Sequence, residues 1–427
     1  MSNDRSMVSR LVLLCAGLIL LVELLPVGPG GPVVAAPAAQ IVASDEVIVV
    51  LRDGVDPVAA ARELGVEPTY IYRDVFSGFA GRLPAATVAA ASRSSLVELI
   101  SPDAPLEATR QVTPTGVRRI RAKDAWADPV PKVVNADVAI LDTGIQRKQA
   151  PDDRASNRKA RDLNVRNGKN CIGPGKSTKD GNGHGTHIAG TVGARDNRYG
   201  AVGVAPGVRL HAVKVLNAGG VGSVSSVVCG LDWVYRNRGV IDVVNMSLGD
   251  RGKASDCEEA FHRAVCRVVL DAGIAVVVSS GNQGENAANF IPANFPEAIT
   301  VSAFADSDGK PGGEGARCGR ERDDTYASFS NFGQDVDIAA PGVCIRSTRR
   351  RGGTVLSSGT SQAAPHVAGA LALFYADSPN ASVQDARDWL DDVASVPQDS
   401  QNGLIQEGQG RSDEPVLWLE GVSPYSP

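Results

Sequence analysis

Three short segments of the chain each carry one member of an acid, base and nucleophile set. Asp142 lies in VAILDTGI, His184 in DGNGHGTHIAG and Ser361 in SGTSQAAPHVAG. A serine hydroxyl is a weak nucleophile until an adjacent base takes its proton, and histidine suits that role because its pKa lies near neutrality. A buried carboxylate then orients the imidazole and stabilises its protonated form. The three residues therefore indicate nucleophilic catalysis by serine.

Each segment has a simpler interpretation when it is taken alone. DTG also occurs in aspartic peptidases, but their site needs two carboxylates, and the chain has no second DTG or DSG. His184 and His187 are spaced like a zinc pair, yet the chain has only five histidines and no HExxH. Ser361 alone would be an ordinary helix N-cap. If the simpler interpretations were correct, three unrelated segments would have to occur in this order by coincidence. We therefore favour catalysis.

The three residues stand at the ends of predicted elements. Asp142 closes the apolar run VAIL, which is typical of a buried parallel strand, and open α/β sheets place their sites at carboxyl ends of strands. Ser361 begins a long helical pattern, and a helix N-terminus favours a developing anion. Strand and helix patterns alternate from residue 111 onward. This alternation predicts an α/β fold, a mostly parallel sheet covered by helices on both faces.

The three motifs, in this order, resemble those of the subtilisin-like serine peptidases, the subtilase family. The resemblance implies that Asn282, after the apolar run IAVVVSSG, donates to the oxyanion beside the backbone N–H of Ser361. It also implies a cleft in which an extended peptide adds to a strand edge. The residues expected to line that cleft are Ser247, Leu248, Gly249 and Gly281.

Two segments precede the hydrolase pattern. Residues 1–38 have a basic start, a short apolar core and a small-residue cleavage site, which predicts a secretory signal; a retained membrane anchor is the alternative. Residues 41–110 predict a small ferredoxin-like α+β unit of β-α-β-α-β pattern, which resembles the inhibitory propeptide of subtilases. The resemblance implies a zymogen that cleaves itself near Arg110, with a subtilisin-like catalytic domain over 111–420. An independent binding domain is the alternative for 41–110.

Composition agrees with an exported hydrolase that acts on proteins or peptides. The chain has 427 residues and a formal net charge of −5, which gives no reason to expect nucleic-acid binding. We expect a monomer that needs no catalytic cofactor. The alternative functions are a non-catalytic extracellular binding protein that keeps the fold, and a zymogen whose propeptide never leaves.

Six cysteines remain once the predicted signal is removed. An even number in an exported protein indicates disulfides. Six cysteines permit fifteen pairings, so the sequence alone does not decide among them. The short amphipathic segment CEEAFHRAVC favours Cys257–Cys266, and the other pairs that we expect are Cys171–Cys229 and Cys318–Cys344.

The resemblance also implies a structural calcium site. Subtilases bind calcium through the mature N-terminus, an aspartate after the first motif and a loop after the histidine helix, and oxygen ligands suit calcium. Asp152 and Asp153 compete with Asp162, because an insertion precedes Asp162. The implied ligands are the side chains of Gln111, Asp162 and Asn197 and the backbone carbonyls of Arg195, Tyr199 and Ala201.

Three further features bear on reactivity and specificity. Gln362 follows the nucleophile, where many subtilisins have an oxidisable methionine. Phe290 and Ile291 stand near the expected S1 pocket, which favours a broad or apolar preference at P1. The basic run Arg349–Arg351 before two glycines predicts a solvated hairpin turn.

Overall fold

The computed structural model describes most of the chain from residue 46 onward. The predicted signal, the expected cleavage region around Arg110, and Gln111, Asp152, Asp153 and Tyr199 lie outside the described residues. Among the described helices, none is both long and apolar enough to span a bilayer. The described residues are 46–103, 105–108, 115–126, 134–147, 162–197, 200–392, 394–396, 414–420 and 422.

The N-terminal part forms a four-stranded antiparallel sheet with two helices. The strand order is β2-β3-β1-β4. The sequence pattern predicted all of these elements except β2, whose residues are mostly half-buried and whose short PTYIY run gives little periodicity. The elements are β1 (Glu46–Leu51), α1 (Pro57–Glu63), β2 (Pro68–Tyr72), β3 (Gly78–Arg82), α2 (Ala85–Ala91) and β4 (Val97–Pro102).

This N-terminal unit has local signals and a core of its own. Asp56 caps α1 by accepting hydrogen bonds from the amides of Val58 and Ala59 at 3.1 and 2.8 Å, and Pro57 occupies the first helical position, where its missing N–H costs nothing. Val49 on β1 and Phe79 on β3 are fully buried in a cluster that the two helices cover. The unit is therefore the small α+β unit that the sequence predicts.

The rest of the described chain alternates strands and helices. The helices are α3 (His184–Gly193), α4 (Val224–Arg236), α5 (Ala260–Cys266), α6 (Thr360–Asp377) and α7 (Val383–Asp392). The strands are β5 (Pro105–Ala108), β6 (Asp137–Asp142), β7 (Asn164–Asn170), β8 (Arg209–Lys214), β9 (Val221–Ser223), β10 (Val243–Met246), β11 (Leu248–Arg251), β12 (Ala275–Ser279), β13 (Phe290–Ile291), β14 (Ile299–Ala305), β15 (Ile338–Val343), β16 (Ile345–Thr348), β17 (Thr354–Ser357), β18 (Ser395–Val396) and β19 (Val416–Leu417).

Nine strands form one sheet in the order β18-β19-β15-β14-β12-β10-β6-β8-β7. The β18–β19 pair is antiparallel, and every other neighbouring pair is parallel. This confirms the predicted mostly parallel α/β sheet. The C-terminal segment EPVLWLEG contributes β19, one strand in from the edge, because β18 pairs with its outer side.

Helices cover both faces of the nine-stranded sheet, which explains why its central strands β6, β10, β12 and β14 are buried at every position and rich in apolar residues. On one face, Ile140 of β6 packs in a cluster with Ile188 of α3 and Val367 of α6. On the other face, Leu141 packs with Val228 of α4 and Val265 of α5. All six residues of β6 are buried, and Asp142 is the last of them, so it lies at the carboxyl edge of the sheet.

Three disulfides join the six cysteines of the described residues. Cys171–Cys229, Cys257–Cys266 and Cys318–Cys344 have Cα–Cα distances of 6.0, 6.2 and 6.1 Å. These are the three pairs that we expected from the sequence.

Candidate active site

Asp142 and His184 form a direct buried pair. The Nδ1 atom of His184 lies 2.7 Å from Oδ2 and 2.9 Å from Oδ1 of Asp142. Because an ionised carboxylate only accepts hydrogen bonds, Nδ1 carries the imidazole proton in this contact. The amide of Thr143 donates to the same carboxylate at 2.6 Å. The strand end therefore holds the acid and fixes the tautomer of the base, leaving Nε2 able to accept a proton.

The close approach of α3 to β6 depends on a glycine. A Cβ at Gly185 would lie 2.3 Å from the carbonyl oxygen of Gly144 and 2.9 Å from Oδ1 of Asp142. Any side chain at this position would push the start of α3 away from the strand end. The small-residue frame around His184 is thus what allows its ring to reach Asp142.

Asp180 organises the loop before His184 and was missed by the sequence reasoning. Its side chain is fully buried. It accepts hydrogen bonds from the hydroxyl of Thr143 at 2.9 Å and from the amides of Gly183 and Thr186 at 2.8 and 3.0 Å. One carboxylate therefore links the Asp142 turn to the histidine loop. The signal for it was an acidic residue ahead of the Gly-Asn-Gly run, which forms a tight turn.

Burial and charge act in opposite directions on the base. Burial lowers the pKa of His184, but the negative charge of Asp142 and its hydrogen bond to the ring outweigh this, so the pKa is raised above the ordinary value. Within the described part of the chain, Nε2 of His184 makes no hydrogen bond. Catalytic hydrogen bonds of this kind are commonly loose before substrate binds.

Ser361 is the second residue of α6, and its side chain is fully buried. Its Oγ donates to the main-chain oxygen of Ser247 at 3.4 Å, and Oγ of Ser247 donates to the main-chain oxygen of Ser361 at 2.9 Å. Helix α6 packs against α3, the helix that His184 begins. The serine thus stands at a helix N-terminus, where the aligned peptide dipoles favour negative charge.

Asn282 is held in one orientation by Thr360. Its Oδ1 accepts hydrogen bonds from the amide and the hydroxyl of Thr360 at 2.8 and 3.0 Å. With Oδ1 engaged as acceptor, Nδ2 is the atom that the side chain can offer as a donor. The amide of Gly281 donates to the hydroxyl of the same threonine at 3.1 Å. Residues 281 and 282 are therefore anchored next to Ser361.

The expected cleft contains a strand from the N-terminal part of the chain. Strand β5 lies between β11 and β9 and pairs antiparallel with both. On β11, Leu248 and Gly249 are opposite Ala108 and Glu107. Of the predicted cleft residues, Leu248 and Gly249 thus meet an extended chain directly, whereas Ser247 contacts Ser361 and Gly281 contacts Thr360. The opposite wall, β9, was missed because its Gly-rich sequence gives no strand pattern.

The N-terminal unit also docks on the start of α4. The carboxylate of Asp103 accepts from the amide of Ser225 at 2.7 Å and from its hydroxyl, where the positive helix N-terminus favours an anion. The hydroxyl of Tyr72 donates to the carbonyl of Ser225 at 3.0 Å. Further along α4, Asp232 accepts from the amides of Asp74 and Val75. These contacts fix the unit whose continuation fills the cleft.

Asp162, Arg195 and Asn197, three of the expected calcium ligands, lie together. Asp162 is only 8% exposed, and its carboxylate accepts from Nδ2 of Asn197 at 2.9 Å, while the amide of Arg195 donates to its main-chain oxygen at 2.8 Å. Burial raises the pKa of Asp162, and no described lysine or arginine side chain pairs with it. A buried carboxylate without a cationic partner fits a cation ligand. Ala201 is buried in the same loop.

Comparisons with known proteins agree with this arrangement. A model of the subtilase family matches residues 135–411, and a model of the peptidase inhibitor I9 family matches residues 55–109. An alkaline protease of Alkalihalobacillus alcalophilus is 36% identical over 299 residues, which cover 70% of this chain and 69% of that protein. Subtilisin Savinase of Lederbergia lenta is 37% identical over 285 residues, 67% of this chain and 92% of that protein.

A solved structure extends the likeness to the fold. The crystal structure of a cold adapted subtilisin-like serine proteinase superposes with a TM-score of 0.53 at 27% identity, covering 72% of this chain and 98% of that one. Sequence, fold and the extent of both family matches agree. The chain belongs to the subtilase family and is a serine endopeptidase with an N-terminal inhibitor I9 propeptide domain.

Proposed function

We propose that the chain is a secreted endopeptidase, made as a self-cleaving zymogen, in which Asp142, His184, Ser361 and Asn282 carry out acyl transfer. The observation that carries this proposal is the 2.7 Å contact between Nδ1 of His184 and the buried carboxylate of Asp142. It places the imidazole proton on Nδ1 and leaves Nε2 as the atom that can accept a proton, while Ser361 stands at the start of α6.

In the first half of the reaction, Oγ of Ser361 attacks the scissile carbonyl carbon and its proton passes to Nε2 of His184. Asp142 stabilises the resulting imidazolium through the Nδ1 proton. The negative oxygen of the tetrahedral intermediate accepts from Nδ2 of Asn282 and the backbone N–H of Ser361. His184 then gives its proton to the leaving amine as the carbon–nitrogen bond breaks.

The second half repeats these roles with water. His184 takes a proton from a water molecule, the hydroxide attacks the acyl carbon, and the ester bond to Ser361 breaks as Oγ regains a proton from His184. His184 returns each proton that it takes, so the proposed reaction needs no catalytic cofactor.

The pairing of β5 with β9 and β11 supports a propeptide that inhibits by filling the cleft as a substrate does. We place the propeptide over 41–110 and the catalytic domain over 111–420, with self-cleavage near Arg110. Three disulfides support export to an oxidising compartment, and residues 1–38 would be the secretory signal. We expect a monomer.

Structural calcium belongs to the same proposal. Asp162, Asn197, and the backbone carbonyls of Arg195 and Ala201 would hold the ion, with Gln111 and Tyr199 as the remaining predicted ligands. Bound calcium supplies positive charge that offsets the buried carboxylate of Asp162 and ties the loop after α3 to the segment before β7.

Self-cleavage is tested by expressing the full-length chain beside Ser361→Ala and measuring the intact mass and N-terminal sequence of the products. The wild type should separate into two fragments at a single bond near residue 110, and Ser361→Ala should remain joined there. Equal cleavage of both proteins would show that another protease cuts this bond.

A further inference from the structure

A charged groove lies beside the catalytic histidine, outside the cleft that β5 fills. Its volume is about 330 Å³. One wall is His184 with the loop before it, and the other is the turn and second strand of the β16–β17 hairpin. The residues that matter here are Asn182, His184, Arg349, Arg350, Arg351 and Leu356.

The direction of β5 shows which part of a substrate this groove would meet. Pro105 lies opposite Ser223, and Ala108 lies opposite Leu248, next to the Ser247 that bonds Ser361. The strand therefore approaches the nucleophile with its carboxyl end. Residues before the scissile bond occupy the β9–β11 cleft, and residues after it must pass beyond Ser361.

The leaving amine receives its proton from the histidine, so the residues that follow the scissile bond leave along the side of His184. In the described chain the β16–β17 hairpin pairs with no other strand, and its inner side together with His184 lines the groove. The groove thus lies where the leaving segment would run.

The charge of this groove is opposite to that of the whole molecule. Arg350 donates to the carbonyl of Gly181 and is half-buried, while Arg349 and Arg351 are exposed. Across the described residues, no carboxylate lies within 4.0 Å of any of these three guanidinium groups. By contrast, Arg73 and Arg251 each pair with a carboxylate. Among the described residues, three arginines without an ion-pair partner therefore line one groove of a protein with net charge −5.

The nearby carboxylate of Asp180 forms no ion pair with these described arginines. Asp180 is fully buried and already accepts from the Asp142 turn and the histidine loop. Val355 and Leu356 are 41% and 45% exposed and give the groove an apolar strip beside the arginines. An extended peptide could lay its backbone on that strip and direct acidic side chains toward the guanidinium groups.

We infer that this groove binds the segment of a substrate that follows the scissile bond, and that Arg349, Arg350 and Arg351 select an acidic residue within its first three positions. The inference rests on the proposed peptidase function. The sequence predicted that the basic run forms only a solvated hairpin turn. The run does form a turn, but its arginine side chains also line the groove.

The test uses mature enzyme and internally quenched peptides that are identical before the scissile bond. Glu, Gln or Lys is placed in turn at each of the three following positions. At one position or more, kcat/KM should be about three- to tenfold higher for Glu than for Lys, with Gln between them, because exposed charge pairs contribute modestly. The ratio should shrink as salt is added. If kcat/KM for Glu were no higher than for Gln at all three positions, this result with the wild-type enzyme alone would overturn the inference.

Variants then assign the effect to the arginines. Arg349→Ala with Arg351→Ala should bring the Glu-to-Lys ratio toward one, and Arg351→Glu should move it below the wild-type value. Arg346→Ala is the matched control, because Arg346 is an exposed arginine on β16 that does not line the groove; it should keep the wild-type ratio. An equal loss in Arg346→Ala would contradict a local effect.

A chromogenic peptide anilide, which has no residue after the scissile bond, separates the two levels of the proposal. No hydrolysis of the anilide by wild-type enzyme would mean that the proposed function has failed. Hydrolysis of the anilide without a Glu preference in the longer peptides would mean that only the selectivity inference has failed.

Discussion

Ser247 and Ser361 hold each other by a reciprocal contact. Oγ of Ser247 donates to the main-chain oxygen of Ser361 at 2.9 Å, and Oγ of Ser361 donates to the main-chain oxygen of Ser247 at 3.4 Å. Asn245 in turn donates to Oγ of Ser247 at 2.9 Å. The start of β11, which pairs with β5, is therefore fixed to Ser361, so under the proposed mechanism substrate register and nucleophile position are set together.

Ser247→Ala should lower kcat more than it raises KM. The variant removes the hydrogen bond that Oγ of Ser247 donates to the main-chain oxygen of Ser361 and the one that it accepts from the Asn245 amide, and such a loss at a buried site costs about 1–3 kcal/mol. We expect kcat to fall by roughly five- to fiftyfold, measured with a peptide anilide. Ser177→Ala, which changes an exposed serine whose hydroxyl accepts a local hydrogen bond from the Lys179 amide, should leave kcat within experimental error. A larger change in KM than in kcat would contradict the positioning role.

The pH dependence of kcat/KM should follow His184. The base must be neutral to accept a proton, and the pKa of His184 is raised above 6.5 because Asp142 outweighs burial. Activity should therefore be lost as pH falls through a value above 6.5, about tenfold per pH unit below it. In Asp142→Asn we expect kcat to fall by a factor of about 10⁴. We also expect the acidic decrease of kcat/KM to occur at lower pH than in the wild type. If kcat/KM of the wild type began to fall only well below pH 6.5, that result would contradict the raised pKa of His184.

Mild peroxide should leave most of the activity intact. Gln362, which follows Ser361 and contains no sulfur, is fully buried. Met246, the sole methionine in the described part of the chain, is also fully buried. Gln362→Met should be active and should lose activity in peroxide, because sulfoxide formation places a polar group in the site. The comparison is residual activity after equal exposure of both proteins. Rapid inactivation of wild type, mapped to the active site, would refute the expectation.

Asp103 should govern how long the propeptide inhibits. Its carboxylate accepts two hydrogen bonds from Ser225 at the start of α4, and bonds to a charged group contribute about 1.5–3 kcal/mol. In the full-length chain, Asp103→Ala should shorten the lag before activity appears by about tenfold or more. Glu63→Ala removes an exposed carboxylate of the same unit and should keep the wild-type lag. Equal lags in both variants would exclude this role for Asp103.

The positions of residues at the ends of apolar runs, at one edge of the sheet, could be predicted from the sequence. Asp142 and Asn282 follow buried strands, and Ser361 begins a long helix, so a parallel sheet brings all three to one edge. The same logic could not find Asp180, because it lies in a loop rather than at the end of an apolar run, and its bond to Thr143 forms only when the chain folds. Strands β2 and β9 were missed since half-buried or Gly-rich strands show no clear alternation.

The groove beside His184 shows a second limit of sequence reasoning. The run Arg349–Arg351 correctly predicted a hairpin turn, but its relation to His184 depends on how that hairpin packs on α3. The Asp103 contact with α4 likewise joins segments 122 residues apart. Such relationships depend on tertiary packing rather than on local pattern.

The most direct test of the account is covalent labelling of mature protein with a fluorophosphonate, followed by peptide mapping. We expect one adduct, on Ser361, in wild-type protein freed of its propeptide, and none in Ser361→Ala. Labelling should slow as pH falls through the pKa of His184. Absence of any adduct on mature wild-type protein, or equal labelling of Ser361→Ala, would contradict the assignment of Ser361 as the nucleophile.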